Sequence, residues 1–261
     1  MKSININDIN LLPGKRITVG EKFTFRCHSG LSCFNQCCRN LNLFLYPYDV
    51  LRLKNKLKIS SEAFIDSYVD VVMKPDSFFP ELLLKMTENK EKTCPFLTEK
   101  GCSIYLDRPD TCRTFPVEHG LLFHQPEKNP ESIHFFRPPD FCMGQYEPDA
   151  MDVESWAINQ NALVYNDMTA RWAAVKAHFY KNPWGSEGFS GGPKGKMAFM
   201  AAYNMERFQE FIFNSTFLNR YRVKPAYLKK IKQNETELLK FGFKWISFFV
   251  CGITSADIAI N

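Results

Sequence analysis

No stretch of this chain is apolar for long enough to cross a bilayer. The longest apolar run, Trp245 to Ile253, is nine residues interrupted by Ser247, and a spanning helix needs about 20. The opening residues, MKSININDINLLPGKR, alternate polar and apolar side chains and lack the continuous apolar core of a signal peptide. A cytoplasmic location without a membrane span is the expectation. There is no internal repeat and no low-complexity tract, which excludes solenoid, propeller and collagen-like architectures. No H-E-x-x-H and no G-x-G-x-x-G after a strand is present. The glycine-rich stretch GSEGFSGGPKGK (185–196) fails the P-loop pattern twice. Ser190 stands where its first glycine belongs and Met197 where Ser or Thr belongs. It reads as a connecting loop.

What is present is an ordinary globular composition with an unusual element. Of 261 residues, 45% are hydrophobic and 23% charged, which excludes a disordered chain and a coiled coil. That length buries a core without disulfide staples, so the nine cysteines have another reason to be there. They are also unevenly placed. Eight lie between Cys27 and Cys142, in a half (1–150) whose 19 basic and 19 acidic residues cancel. Residues 151–261 carry 14 basic and 9 acidic side chains and so hold the whole net charge of +5. The composition predicts a cysteine-rich domain over 1–150 and a second region over 151–261.

Local patterns predict an α+β fold. RITVGEKFTFR (16–26) alternates with period two and reads as a strand, and LNLFLY (41–46) as a second. Pro47 opens a helix carrying Val50, Leu51, Leu53 and Leu57. Ser60 or Ser61 caps the next helix, which the apolar spacing extends to Val72. GLLFH (120–124) and SIHFF (132–136) suggest a hairpin. From Asp152 the period becomes helical, with Val153, Trp156, Met168, Trp172 and Phe179 on one face. Further helices are predicted at 196–214, 226–232 and 234–250. Short strands and loops thus come first, and a mainly helical region follows.

The cysteines form two groups: Cys27, Cys33, Cys37 and Cys38 as C-x5-C-x3-C-C, then Cys94, Cys102, Cys112 and Cys142. Thiolates are soft ligands suited to zinc and iron–sulfur centres, and four complete either one. In a reducing compartment such clusters are metal ligands or redox groups more often than disulfides. A lone cysteine behaves instead as a small hydrophobe, and that is the reading for Cys251 within WISFFVCGI. The missing C-x2-C knuckle tips the balance from zinc towards iron–sulfur. Adjacent Cys37 and Cys38 are awkward for one ion, so one of them either packs or reaches a second centre. Arg39, Arg108 and Arg113 flank the cysteines; they either offset thiolate charge or are surface charges. His28 is a possible substitute ligand, while His119, His124, His134 and His178 are scattered.

FRCHSGLSCFNQCCRNLNLFLYPYDVLRL followed by CPFLTEKGCSIYLDRPDTCRTFP resembles the YkgJ-like cysteine-cluster family, the CxxCxxCC zinc- or iron-chelating domain. That family joins a cysteine run ending in CC to a CPF…GC-x-IY…RP-x-x-CR-x-FP segment. The second segment is matched here through Cys94, Cys102, Arg108-Pro109, Cys112 and Phe115-Pro116. The resemblance spans about residues 23–145 and implies a metal centre on eight cysteines, Cys142 being the last. The family's first run is commonly C-x2-C-x2-C-C, so the stretched spacing here puts Cys27 and the ligand pairing in question. The resemblance also implies a relation to the flagellin lysine N-methylases, hence S-adenosylmethionine-dependent protein lysine methylation as the alternative function. It names no reaction with certainty and no catalytic residue. A protein partner or substrate is compatible with both readings. Nucleic acid is not expected. The basic run Arg220, Arg222, Lys224, Lys229, Lys230 and Lys232, with Tyr221 and Tyr227 interleaved, reads as a solvated helix face.

Overall fold

Pro47 and Ser60 show how closely local chemistry sets the elements. Pro47 takes the first position of the helix Pro47–Leu57, where its missing N–H costs nothing. The Tyr46 N–H donates to Asp49 Oδ2 at 2.9 Å. Ser60 Oγ accepts from the Ala63 N–H at 3.1 Å, starting the helix Ser61–Tyr68. In the computed structural model, residues 2–4, 14–75, 77–122, 131–180, 182–185, 192–254 and 257–260 are described. His124 and half of the 185–196 stretch, at 186–191, lie outside them.

The fold is α+β, and its packing separates two units, each built from two chain segments. One comprises 1–43 and 85–173, the other 44–84 and 174–261; the division falls inside the helix Leu163–Ala177. The expected division near residue 150 marks a change of composition. These units are drawn by packing.

The first unit carries a four-stranded sheet in the order Lys2–Ile4, Val117–Leu122, Glu131–Phe136, Lys15–Ile17. Val117–Leu122 and Glu131–Phe136 pair antiparallel, with His134 opposite His119, as the hairpin pattern predicted. The strand expected at 16–26 is broken in two, Lys15–Ile17 and Phe23–Thr24. Between them the chain turns at Gly20, whose φ of 79° is open to glycine at no steric cost. Phe23 then pairs with Met151. Phe23, Phe25, Val117, Cys142 and Trp156 pack into one core, and Trp156 Nε1 donates to the Thr114 carbonyl at 3.0 Å. The helical period after Asp152 is real but interrupted. Val153–Asn159 and Leu163–Ala177 are separate helices, with Asn161 in a left-handed conformation between them.

The second unit is mainly helical. Apolar residues 69–72, which also fit a helical spacing, form a strand pairing with Glu81–Leu84, itself paired with Phe44–Leu45. The helices Gly192–Tyr203 and Met205–Asn214 replace one expected helix, because Asn204 caps the second through its side chain. Pro225–Gln233 and Glu235–Cys251 follow as expected. Trp245, Phe208, Phe217 and Phe241 make up much of the core. No helix among the described residues is long and apolar enough to cross a membrane.

Candidate metal centre

All eight clustered cysteines fall in the first unit. After Phe25, which lies in the aromatic core, the chain passes Cys27 and loops through Cys33. It then enters a short 3-10 turn, Gln36–Cys38, entered from Asn35 at φ 66°. Cys38 is anchored to the second group directly: its carbonyl accepts from the Cys94 N–H at 2.8 Å. Cys102 sits on a two-residue hairpin strand opposite Leu97. Cys112 lies on the helix Asp110–Thr114. Cys142 is buried against the aromatic core. The Met143 N–H donates to Cys33 Sγ at 3.2 Å.

The thiols sense one another. Burial, then the neighbouring Cys37, Cys142 and Cys33, push Cys27 up to about 11. Cys37 is raised furthest, first by its hydrogen bond with Cys38 and then by burial. Burial raises Cys94, Cys102 and Cys142, with Cys102 and Cys37 acting on Cys94, Cys37 on Cys102, and Cys33 and Cys37 on Cys142. The charge of one thiolate is thus opposed by the next, which is the environment a cation relieves. No disulfide joins any of the nine cysteines.

The flanking arginines divide by environment. Arg108 and Arg113 are buried, so the surface-charge reading does not hold for them. Arg108 lies near Cys112 and Cys102. Its guanidinium donates to the Tyr105 carbonyl and to Gln160 Oε1, both at 2.6 Å. Arg113 donates to the carbonyls of Leu106 at 2.7 Å and Gln160 at 2.8 Å. Together they tie the loop between Cys102 and Cys112 to the end of the helix Val153–Asn159. Arg39 is half-exposed, paired with Glu91 at 3.1 Å and bonded to the Asn35 carbonyl, and its charge reaches Cys37. His28 is engaged elsewhere: Nδ1 accepts from the Gly30 N–H, and Nε2 faces Glu147 at 3.5 Å. Cys251 ends the last long helix, in the other unit, half-buried.

The donor set suits a soft metal in number and chemistry. Among the described residues, however, no three Cys, His, Asp or Glu side chains stand in a ready-made metal-holding array. Two features of the site are not announced by cysteine spacing. One is Gly144, whose carbonyl accepts from the Arg26 N–H at 3.0 Å. The other is Gln160, which receives both buried arginines. A glycine two residues beyond a cysteine was the available signal for the first; no local pattern marks the second.

Residues 26–143 match the family model CxxCxxCC, whose description is "Putative zinc- or iron-chelating domain". No curated protein and no solved structure matches this chain.

Proposed function

We propose that this protein binds an iron–sulfur cluster, or zinc, through Cys27, Cys33, Cys37, Cys38, Cys94, Cys102, Cys112 and Cys142, in a structural, sensing or electron-transfer role. The observation that carries the reading is the convergence of two sequence-distant cysteine groups into one unit, where their thiols are electrostatic neighbours. The buried Arg108, near Cys102 and Cys112, supplies compensating positive charge, and the N–H on Cys33 Sγ is a bond of the kind that tunes ligand sulfur. An iron–sulfur cluster would supply one-electron chemistry, whereas zinc would supply a closed cross-link. The missing C-x2-C knuckle favours the cluster.

Metal and acid-labile sulfide content of anaerobically purified protein, with its visible spectrum, tests this. Iron with matching sulfide and a reducible chromophore is the expected result, and stoichiometric zinc would redirect the role to structure. Cys102→Ser and Cys112→Ser should each lose metal; full retention in both variants overturns the assignment. The alternative, S-adenosylmethionine-dependent lysine methylation, rests on family resemblance. Calorimetry with S-adenosylmethionine on the metallated protein tests it, and absence of heat counts against it.

A further inference from the structure

We propose that one end of the second unit is a docking surface for an anionic lipid bilayer, carried by Arg220, Arg222, Lys224 and Lys229 together with Leu218, Ile253 and Ile260. All of them belong to residues 174–261, and the surface is independent of the cysteines. The basic run is not one helix face. Arg220 ends the short helix Phe217–Arg220, Arg222 lies on the strand Tyr221–Val223, and Lys224 precedes the helix Pro225–Gln233, which carries Lys229. These four cations are exposed, and none has an ion-pair partner among the described residues. The acids of the elements packed against them are engaged by other lysines. Glu237 pairs with Lys230 at 2.8 Å and Lys240 at 3.0 Å, Asp257 with Lys244 at 2.6 Å, and Glu235 with Lys54 at 2.5 Å. A field of positive charge is left, which complements an anionic surface.

Three elements bring apolar side chains to the same end. Tyr221 stands opposite Ile260 in the strand pair and packs edge-on against Phe248 at 6.0 Å. The Gly252 N–H donates to the Phe248 carbonyl where the helix Glu235–Cys251 stops, and Ile253 follows directly. Leu218 lies on the short helix that ends at Arg220. Ile260 is 71% exposed, Ile253 45% and Leu218 36%. Exposed aliphatic side chains framed by cations suit a membrane interface, where the charges meet headgroups and the apolar tips enter the acyl boundary. The same surface suits nucleic acid poorly. Tyr221 and Tyr227, the aromatic residues interleaved with the basic run, are half-buried. Tyr221 packs on Phe217 at 4.9 Å and Tyr227 on Phe241 at 5.7 Å, so both rings are spent on the core instead of being presented to bases.

Vesicle cosedimentation of the full-length protein tests this. The protein is spun with vesicles of phosphatidylcholine alone and of phosphatidylcholine with phosphatidylserine, and its retention on immobilised polyuridylic acid is measured alongside. Binding to the phosphatidylserine vesicles only, falling as salt rises, is the expected result. Arg220→Gln combined with Arg222→Gln should weaken it by about fivefold per charge removed. Ile253→Ser combined with Ile260→Ser should weaken it as well, without changing its dependence on salt. All four side chains are exposed, so an unchanged thermal midpoint in each variant separates lost binding from lost folding. No binding to phosphatidylserine vesicles at low salt overturns the proposal, and so does binding that either double variant leaves intact. Retention on polyuridylic acid without vesicle binding also overturns it and makes the surface a nucleic-acid face.

Discussion

His119 and His134 stand opposite each other on neighbouring strands, with ring centroids 4.5 Å apart and planes 13° from parallel. Among the described residues neither ring nitrogen of His119 has a hydrogen-bond partner. Burial, and secondly the His134 ring, hold His119 down to about 3, and burial lowers His134 as well. Between pH 3 and the ordinary imidazole value of about 6.5, the unfolded chain therefore binds a proton at His119 that the native one refuses. Stability is fully present above about 6.5 and is lost as pH falls through that window, by up to roughly 5 kcal/mol for this group. Urea unfolding from pH 7.5 to 4 should show this loss, and His119→Phe, which keeps the stack, should flatten it. An unchanged acid limb in the variant refutes the assignment.

The helices Gly192–Tyr203 and Glu235–Cys251 approach at Gly242, where an added Cβ would lie 2.4 Å from the Ala201 carbonyl oxygen. Alanine is the better helix former, yet Gly242→Ala should destabilise by about 1–3 kcal/mol, because the obstacle is backbone of a packed neighbour. Chemical denaturation reads the sign directly. A more stable variant would mean the helices separate without cost.

Lys54 is buried on the helix Pro47–Leu57, with its ammonium 2.9 Å from Glu206 and 2.5 Å from Glu235. The two carboxylates come from different helix starts and converge on one cation. Lys54→Ala leaves them facing each other and should cost about 3 kcal/mol. Lys54→Met, which retains the aliphatic stem, should still lose more than Glu235→Gln, since the latter leaves Lys54 paired with Glu206. Equal losses from the two would contradict the shared-cation geometry.

Arg113 donates to the carbonyls of Leu106, Gln160 and Arg108 and lies over the face of Tyr165, 4.1 Å from its guanidinium carbon, while its Nε has no hydrogen-bond partner among the described residues. Lysine keeps the charge but not the planar fork. Arg113→Lys is expected to cost about 2 kcal/mol. It should also raise hydrogen exchange in residues 105–108, a loop that Arg113 holds through Leu106. Unchanged exchange there would show that Arg108 alone secures the loop.

Much of this was legible from residue chemistry. The helix starts at Pro47 and Ser60 follow from proline's fixed φ and a serine oxygen, both of which are local. The pairing of Val117–Leu122 with Glu131–Phe136 follows from strand patterns separated by a short polar stretch. The helix through Val69–Val72 was misjudged because Ile65, Tyr68, Val69 and Val72, spaced three and four apart, fit a helical period; the partner strand Glu81–Leu84 decides. The break at Gly20 and the left-handed Asn161 cost little sequence and change much direction. Neither patterning nor charge shows that residues 44–84 pack with 174–261, since only tertiary contacts make that choice. At the candidate site, soft ligands were recognisable by type and number. The approach of the Cys27 and Cys33 segment to the one after Cys142 was not, because it depends on backbone contacts at Gly144 and Met143 that side-chain patterning leaves silent.

The interleaving of the two units bears on how the chain is made. Cys27 to Cys38 leave the ribosome first, but Cys94 to Cys142 follow only after residues 44–84, which belong to the other unit. At translation speeds of about 5–20 residues per second, the early thiols wait several seconds for their counterparts. Throughout that interval they are exposed to oxidants and to competing ions, because the contacts of Cys38 with Cys94 and of Cys33 with Met143 form only after residues 94 and 143 have emerged.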